Sequence, residues 1–520
     1  MSEKMKPSIK EQNAKIVGAA LAEVLPQSDK WWFQQPHLVR LNLLLLIPLM
    51  SSSVSGFDGS LMNGLQALPQ WNEDFGYPTG YTLGLVNAIM AIAMFLALPI
   101  IPWISDRYGR KIPVMLGSVG VIIATLIQIF SVNYGMFVFS RAVVGFSASF
   151  MVQPSAMLIA ELSYPTHRGK YTAAYFTIYY LGGIIASWIT FAAQDLEGSL
   201  AWKVPTIFQG VLPLIQICFM WLVPQSPRWL VANDRASEAC DLLSRIHDPM
   251  SGSQLVAREL SEMVESIQME KASALTTWRS LFATPGNRKR VLVAVCVGLF
   301  AQWNGVAVVS YYLSKVLSSV GITSTFDQTL INGMLQIFNF AAALTGAFLV
   351  DRLGRRVLFL WSTAGMLVTY IIWTACSAVN AETGSSAAGI VVVVCLFVYF
   401  FHYDIAYTPL LLAYPTEIFP YSLRAKGLAL EFYFNSGGLI LALFVNPIGM
   451  ESIGWHYYIV FCGLLFLMLV VVWATFPETK GHSLEEIAVI FDGPQAETSL
   501  AMDKRVAAEA EAVEHKEHAV

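Results

Sequence analysis

Twelve apolar runs, arranged as two sets of six, dominate this 520-residue sequence and decide what it can fold into. Each run is long enough to cross a bilayer, whose hydrocarbon core of roughly 30 Å takes about 20 helical residues. Inside that core no water can bond the backbone, so runs of this length fold as α-helices. The sequence therefore predicts an all-α membrane protein with twelve transmembrane helices.

The composition separates this chain from soluble proteins and from several functional classes. Charged residues make up 13% of the chain and hydrophobic residues 55%, whereas an average soluble domain has about 25% charged residues. A net charge of −4 without a basic stripe indicates no nucleic-acid partner. The six cysteines have no disulfide or metal-ligand spacing, and no phosphate-binding loop or nucleophile motif is present. We therefore expect a protein embedded in the lipid bilayer, with no enzymatic activity, no cofactor and no metal.

The predicted organisation follows these runs along the chain. Residues 1–40 form an N-terminal segment, 41–223 a six-helix bundle, 224–289 a polar central loop, 290–476 a second six-helix bundle and 477–520 a tail. The predicted spans lie near residues 42–66, 80–101, 112–131, 134–158, 172–192, 205–223, 290–318, 329–350, 357–379, 389–414, 428–448 and 455–475.

Basic residues are concentrated in the loops on one side of the predicted bundle. These loops carry Arg107, Arg110, Lys111, Arg168, Lys170, Arg352, Arg355, Arg356, Arg424 and Lys426. The loops on the other side carry only Lys203 and Lys315. Because an excess of Lys and Arg marks the cytoplasmic side of a membrane protein, we expect both termini and the central loop in the cytoplasm.

Three loop motifs occur twice in the same order, which indicates a duplicated six-helix unit. The motif PWISDRYGRK, with Asp106, returns as AFLVDRLGRR, with Asp351, 245 positions later. The motif AELSYPTHRGK, with Glu161, returns as PTEIFPYSLRAKG, with Glu417, 256 positions later. The motif PQSPRWL returns as PETKG after 253 positions.

Together these motifs resemble the sugar porter family of the major facilitator superfamily over about residues 40–485. The runs QWNGVAVVSYYL and TPLLLAYPTEIFPYSLRAKG are similar to those of fungal lactose permease-like transporters. The resemblance implies a major facilitator fold of two pseudo-symmetric six-helix bundles. It also implies transport by alternating access and function as a monomer.

Charged residues of the repeated loops can form a latch at the cytoplasmic rim. The candidate gate residues are Asp106, Arg107, Arg110, Glu161, Arg168, Asp351, Arg352, Arg355, Glu417 and Arg424. Solvated ion pairs are worth little individually, but a network formed in only one state biases the inward/outward equilibrium. The resemblance implies this gating role, and anchoring of the loops by positive charge alone is the alternative. One position departs from the family, since Gln225 stands where a Glu is usual, whereas Glu478 is retained.

Two ionisable residues inside the first bundle are candidates for proton coupling. Asp58 is the only acid of the first predicted span and Arg141 the only charge of the fourth. Both lie roughly 10–12 Å below the outer surface at 1.5 Å per residue, so the two side chains can meet. Ionisable groups in a bilayer are costly and usually functional, and both residues match positions that proton-coupled sugar porters use. A static structural ion pair is the alternative.

Asp404, with His402 nearby, is a second intramembrane acid and lies close to the middle of the tenth predicted span. Its carboxyl could bind substrate, or it could tie helices together through hydroxyl or amide groups. We include Asp404 among the candidate substrate-binding residues.

The resemblance also assigns a substrate pocket, in which amides bond sugar hydroxyls and aromatic faces cover the ring. The retained candidates are Gln302, Tyr311, Tyr312, Asn339 and Asn435. Four usual hexose contacts are replaced, by Gly183, Ala301, Ala307 and Leu412. We therefore expect a wider and less polar pocket, which fits a larger glycoside and equally a non-sugar metabolite.

The leading functional prediction is proton-coupled uptake of a disaccharide-sized sugar or glycoside across the plasma membrane, with a proton and a small molecule as the transported partners. Transport or export of a non-sugar small molecule, such as a secondary metabolite, is the first alternative. A non-transporting nutrient receptor is the second, although only about forty residues follow Pro477 to serve as a signalling tail.

Overall fold

The computed structural model describes residues 24–25, 31–248, 254–274, 277–480 and 484–493, and within these ranges every regular element is helical. The first six spans are Pro36–Ala67 (span 1), Gly80–Ala97 continued by Ile100–Tyr108 (span 2), Lys111–Ile129 (span 3), Tyr134–Leu162 (span 4), Arg168–Ala193 (span 5) and Leu200–Gln209 continued by Val211–Met220 (span 6). A short helix, Pro69–Phe75, follows span 1.

The second half repeats this arrangement. Its spans are Pro285–Trp303 continued by Val306–Ser319 (span 7), Thr325–Leu353 (span 8), Arg355–Thr383 (span 9), Ser386–Ile418 (span 10), Tyr421–Ile453 (span 11) and Tyr457–Thr475 (span 12). Short 3-10 turns lie at Trp32–Gln34, Trp278–Phe282 and Gly454–His456, and a final helix spans Leu484–Asp492. The end at which span 1 begins and span 12 ends carries the repeated basic loops and is called the basic end below.

Ten described segments are long and apolar enough to cross a membrane. One of them, Ser422–Thr475, contains both span 11 and span 12, and the helix Thr325–Leu353 supplies span 8. The described residues therefore provide the twelve membrane-length helices that the sequence predicts.

The central segment is more ordered than the predicted loop. It forms the helices Pro227–Ala232, Ala236–His247 and Gln254–Ala274. Apolar side chains recur at helical spacing and are buried, as at Ala239 and Leu243. The longest of them, Gln254–Ala274, has 21 residues but is rich in Glu, Lys and Arg, and none of the three is apolar enough to be a candidate membrane span, so the six-plus-six division of the chain is unaffected.

Helix boundaries follow local capping chemistry. At the start of span 4 the side chain of Asn133 accepts a hydrogen bond from the backbone N–H of Met136, at 2.8 Å, as an N-cap residue does. Spans 2 and 3 are separated at Gly109, and spans 8 and 9 at Gly354, with φ of +83° and +95°. Such angles favour glycine, which explains why both copies of the repeated D-R-x-G-R motif contain it.

The two halves pack through spans 2 and 11 and through spans 5 and 8. At the end opposite the basic end, spans 1 and 7 are also joined by hydrogen bonds. Asn63 donates to the carbonyl of Ser310 at 2.6 Å, and Gln66 donates to the carbonyl of Tyr311 at 2.9 Å. The N–H of Leu313 donates back to Asn63 at 3.3 Å. These bonds hold the two halves together at this end.

Spans 1 and 5 approach so closely that their backbones touch. A Cβ atom added at Gly56 would lie 1.8 Å from the carbonyl oxygen of Tyr179, and one added at Gly182 would lie 1.9 Å from that of Ser53. Side chains larger than hydrogen are therefore excluded at both positions. Contact of this kind between small residues is a usual way to pack helices in a membrane.

Candidate transport site and gate

Asp58 and Arg141 form a buried ion pair between spans 1 and 4. A guanidinium nitrogen of Arg141 bonds Asp58 Oδ1, and both side chains are 1% exposed. Gln209 of span 6 donates to the same carboxylate oxygen at 2.7 Å, and Arg141 Nη2 lies 3.4 Å from the sulfur of Met90. The structure thus brings together the two residues that the sequence predicts to meet. Gln209 was missed, although an amide in an apolar run is a recognisable signal.

An amide pair lies between spans 7 and 11. Gln302 Nε2 donates to Asn435 Oδ1 at 2.7 Å, so two of the predicted substrate ligands are already oriented by each other. Asn339 of span 8 is also buried. A further acid that is not among the predicted site residues, Glu431, is fully buried on span 11 one helical turn before Asn435. Its signal was a carboxyl inside the apolar run LALEFYF.

The two predicted tyrosine ligands face different surroundings. Tyr311 is only partly buried and lies close enough to Asp58 and Tyr179 for electrostatic interaction. Tyr312 is fully buried, and its hydroxyl donates to the carbonyl of Leu443 in span 11 at 2.5 Å. Tyr311 is therefore the better placed of the two to contact a substrate in this conformation.

The replaced hexose contacts do not simply leave empty space. The side chain of Gln336, from span 8, fills the region beside Gly183, where an added Cβ would lie 2.7 Å from its Oε1. Ala301 and Ala307 are fully buried and line no solvent-accessible space. The polarity that span 5 lacks at Gly183 is thus supplied by span 8, and the expected loss of pocket polarity does not hold at this position.

Asp404 lies at mid-depth between the two halves. Tyr180 of span 5 donates to its Oδ1 at 2.5 Å, and Thr408, one turn further along span 10, donates to the same oxygen at 2.9 Å. The carboxylate is fully buried. Of the two roles considered from the sequence, the structure shows the hydroxyl contacts between helices. Asp404 stays a prediction as a substrate ligand.

Each half carries an ion pair at the basic end. In the first half, Arg110 Nε lies 3.3 Å from Glu161 Oε2, and its Nη1 lies 3.4 Å from Asp106 Oδ1. In the second half, Arg355 Nη2 lies 2.9 Å from Glu417 Oε1. Both pairs join residues of the same half, at equivalent positions of the repeat.

The remaining candidate gate residues lie around these pairs. Arg107, Arg168 and Arg352 are exposed at the basic end, and Arg424 is partly buried near the start of span 11. Asp351 closes span 8, and its side chain lies outside the described side chains.

A carboxylate after span 12 binds the beginning of span 9. Glu478 accepts hydrogen bonds from the backbone N–H of Arg355 at 2.8 Å and of Arg356 at 3.1 Å. Burial acts to raise the pKa of Glu478, but backbone donors at Lys480, Arg355, Arg356 and Thr479 outweigh it and hold the pKa below its ordinary value. The carboxylate therefore stays ionised against the positive end of the helix.

Two six-helix halves with duplicated loop motifs and polar groups buried between them define a membrane transporter of the major facilitator type. The chain belongs to the sugar (and other) transporter family, whose sequence profile matches residues 44–491. Family membership makes it a transporter and not an enzyme, and confirms the predicted resemblance at the level of the sugar porters.

Named relatives share most of their length with this chain. It is 26% identical to the MFS-type transporter criB of Aspergillus cristatus over 447 residues, which covers 86% of this chain and 92% of that protein. It is 28% identical to a high-affinity glucose transporter of Kluyveromyces lactis, with 87% and 85% covered. Identity to the low-affinity glucose transporter HXT3 of Saccharomyces cerevisiae is 26%, with 86% and 82% covered.

Solved structures share the fold. The inward-open xylose transporter XylE of E. coli aligns with a TM-score of 0.73 at 20% identity, covering 87% of this chain and 100% of that one. XylE bound to 6-bromo-6-deoxy-D-glucose aligns with a TM-score of 0.69 at 20% identity, covering 87% and 99%. The predicted major facilitator fold of two six-helix bundles is confirmed.

Proposed function

We propose that this transporter carries a sugar or glycoside of about disaccharide size into the cell, coupled to a proton, by alternating access. The observation that carries the proposal is the buried pair of Asp58 and Arg141. A carboxylate held by a guanidinium in a low-dielectric site can gain or lose a proton only with a large change in its interactions. Binding a proton there would release Arg141 and change the contacts between spans 1 and 4.

Polar groups suited to hydroxyl recognition support a sugar as the substrate. Gln302, Asn435, Asn339 and Gln336 offer amide donors and acceptors from spans 7, 11 and 8, and the partly buried Tyr311 offers a ring face. Amides bond hydroxyls in both directions, and an aromatic ring covers the apolar face of a sugar. The relatives named above as glucose transporters support the same substrate class.

The proposed substrate size rests on Leu412. Its aliphatic side chain stands where the sugar porter pattern has an aromatic one, so the site lacks a ring face that would cover a small hexose. A larger glycoside can recover this free energy through contact area, which agrees with the resemblance to fungal lactose permease-like transporters.

The ion pairs at the basic end support a gate that faces the cytoplasm. The pairs of Arg110 with Glu161 and of Arg355 with Glu417 fasten the loop ends within each half, so each half can move as a unit. We further propose that the protein is located in the plasma membrane, with both termini in the cytoplasm, and that it functions as a monomer.

Uptake by yeast that lacks its own sugar carriers tests this proposal. Cells expressing the chain are given radiolabelled lactose, cellobiose, maltose or glucose, with and without a protonophore. We expect accumulation of at least one disaccharide above its external concentration, abolished by the protonophore, with alkalinisation of the medium as substrate enters. Accumulation that survives the protonophore would exclude proton coupling, and preferred uptake of glucose would exclude the disaccharide.

A further inference from the structure

A single hydrogen bond in the middle of the molecule connects the two halves through a carboxylate. Tyr180 is on span 5 of the first half and Asp404 is on span 10 of the second. The phenol oxygen lies 2.5 Å from Asp404 Oδ1, and both residues are buried. Hydroxyl–carboxylate bonds of about 2.5–2.7 Å are charge-assisted and roughly twice as strong as neutral ones.

The depth of this bond differs from that of the contacts between spans 1 and 7. Tyr180 is at the centre of the helix Arg168–Ala193, whereas Asn63 and Gln66, which bond span 7, are near the end of the helix Pro36–Ala67. The Tyr180–Asp404 bond is therefore closer to the basic end. It lies between that end and the polar site around Asp58.

Among the described contacts of Asp404, the hydrogen bond from Tyr180 is the one that links it to the first half. Its other described donor, Thr408, is on the same helix and moves with it. The phenol of Tyr179, also on span 5, lies within electrostatic range of both Asp404 and Asp58. The polar neighbours that reach Asp404 from across the interface are thus phenols of one helix.

We propose that the Tyr180–Asp404 hydrogen bond closes the transport pathway between the polar site around Asp58 and the basic end, and that Tyr180 is the positioning residue of this gate. The inference rests on alternating access in the proposed function but not on the identity of the substrate or on proton coupling. Spans 5 and 10 belong to different halves, which separate at the basic end when the pathway opens there. A contact made in only one of two states shifts the equilibrium by the free energy it contributes there.

Thr408 provides a matched control because it donates to the same oxygen without crossing the interface. Tyr180→Phe removes the bond between the halves and keeps the ring. Thr408→Val removes the bond within span 10 and keeps the side-chain shape. If Asp404 only stabilises its own helix, the two variants behave alike; if it closes a gate, only Tyr180→Phe changes the opening.

Spin-label distances in purified protein measure this directly and need no substrate. Labels are attached at Thr172→Cys in span 5 and Ala425→Cys in span 11, both exposed near the basic end, after the six native cysteines are replaced by serine. We expect Tyr180→Phe to raise the ratio of long to short distances by about ten- to a hundredfold, the equivalent of a hydrogen bond to a charged group. Thr408→Val should leave the distribution as in the parent.

A second variant covers the case in which Tyr180→Phe yields no folded protein. Asp404→Asn keeps the size and an acceptor oxygen but removes the charge, so it should shift the ratio in the same direction by a smaller factor. An unchanged distribution in both Tyr180→Phe and Asp404→Asn would overturn the proposal, as would an equal shift in Thr408→Val. Because no transport is measured, failure of the proposed sugar or proton coupling would leave these results interpretable.

Discussion

Gln225 occupies, in the first half, the position that Glu478 occupies in the second. Gln225 lies against Gly109, and its Oε1 is 3.4 Å from the backbone nitrogen of Lys111, the first residue of span 3. Glu478 lies against Gly354 and binds the start of span 9 at 2.8 Å. The position of the side chain against the glycine and the next helix is thus the same in both halves, but its charge differs. The contact of Gln225 with span 3 is neutral and longer than that of Glu478 with span 9.

We expect Gln225→Glu to stabilise the first half. A carboxylate at the start of span 3 would face the positive end of the helix, a contribution of about 0.3–1 kcal/mol. Thermal unfolding of the purified protein in detergent should show a higher Tm than the parent. The nearby exposed residue Asp234 provides a control: Asp234→Asn changes charge without contacting span 3, and an equal Tm change there would contradict the local explanation.

Stability should depend on the protonation of Glu478 in a defined direction. Its folded-state pKa lies below the ordinary value, so the stabilisation is fully present above the ordinary glutamate pKa of about 4.3. It is lost as the pH falls through the lower, folded-state pKa. Comparing the Tm of the parent and Glu478→Gln from pH 7 to pH 3 checks this: the difference should be largest at pH 7 and shrink in acid. A constant difference would rule out the ionised form as the cause.

Asp58→Asn should uncouple transport from the proton gradient. The amide resembles the protonated acid, carries no charge to form an ion pair with Arg141 and cannot exchange a proton, so accumulation above the external concentration should be lost. Downhill exchange of labelled for unlabelled substrate should remain. Both are measured in the same cells, with Asp327→Asn, at the exposed start of span 8, as the control. Continued accumulation in Asp58→Asn would move the coupling role to another acid, with Asp404 or Glu431 next.

Gln302 and Asn435 should act on the substrate as one unit. Because the two amides orient each other, Gln302→Ala, Asn435→Ala and the double variant should each raise KM by about the same factor, up to roughly tenfold for a neutral hydrogen bond. Trp303→Phe removes a bond between the same two spans, from its indole N–H to the carbonyl of Gly438, and should leave KM unchanged. Additive effects of the two amides would contradict a shared role.

The meeting of Asp58 and Arg141 could be predicted because it depends on one quantity that the sequence contains, the depth of each residue along its helix. The bond between Tyr180 and Asp404 could not be predicted in this way. It depends on the rotation of two helices from different halves, which no pattern within one span determines. The sequence raised hydroxyl contacts between helices as one role for Asp404 but could not name the partner.

The substrate pocket also depends on contacts between helices that the sequence of one span does not determine. Comparison of span 5 alone with the family pattern predicts a lost amide at Gly183, whereas Gln336 fills that space from span 8. The same comparison places Ala301 and Ala307 in the pocket, although both are fully buried. The residue type at each position can be read from the sequence. Whether a side chain of one helix replaces a group missing from another can be known only from the relative positions of the two helices.

The close backbone contacts of Gly56 with Tyr179 and of Gly182 with Ser53 have a mechanical consequence. Helices whose backbones touch cannot slide or rotate independently of each other. Spans 1 and 5 are therefore expected to move as one rigid unit, without a hinge between them. Asp58 is two residues from Gly56, and Tyr180 is two residues from Gly182. If Asp58 is the proton site, as proposed, a movement of span 1 on protonation also moves Tyr180 on span 5, and no chain of side-chain contacts between the two residues is needed.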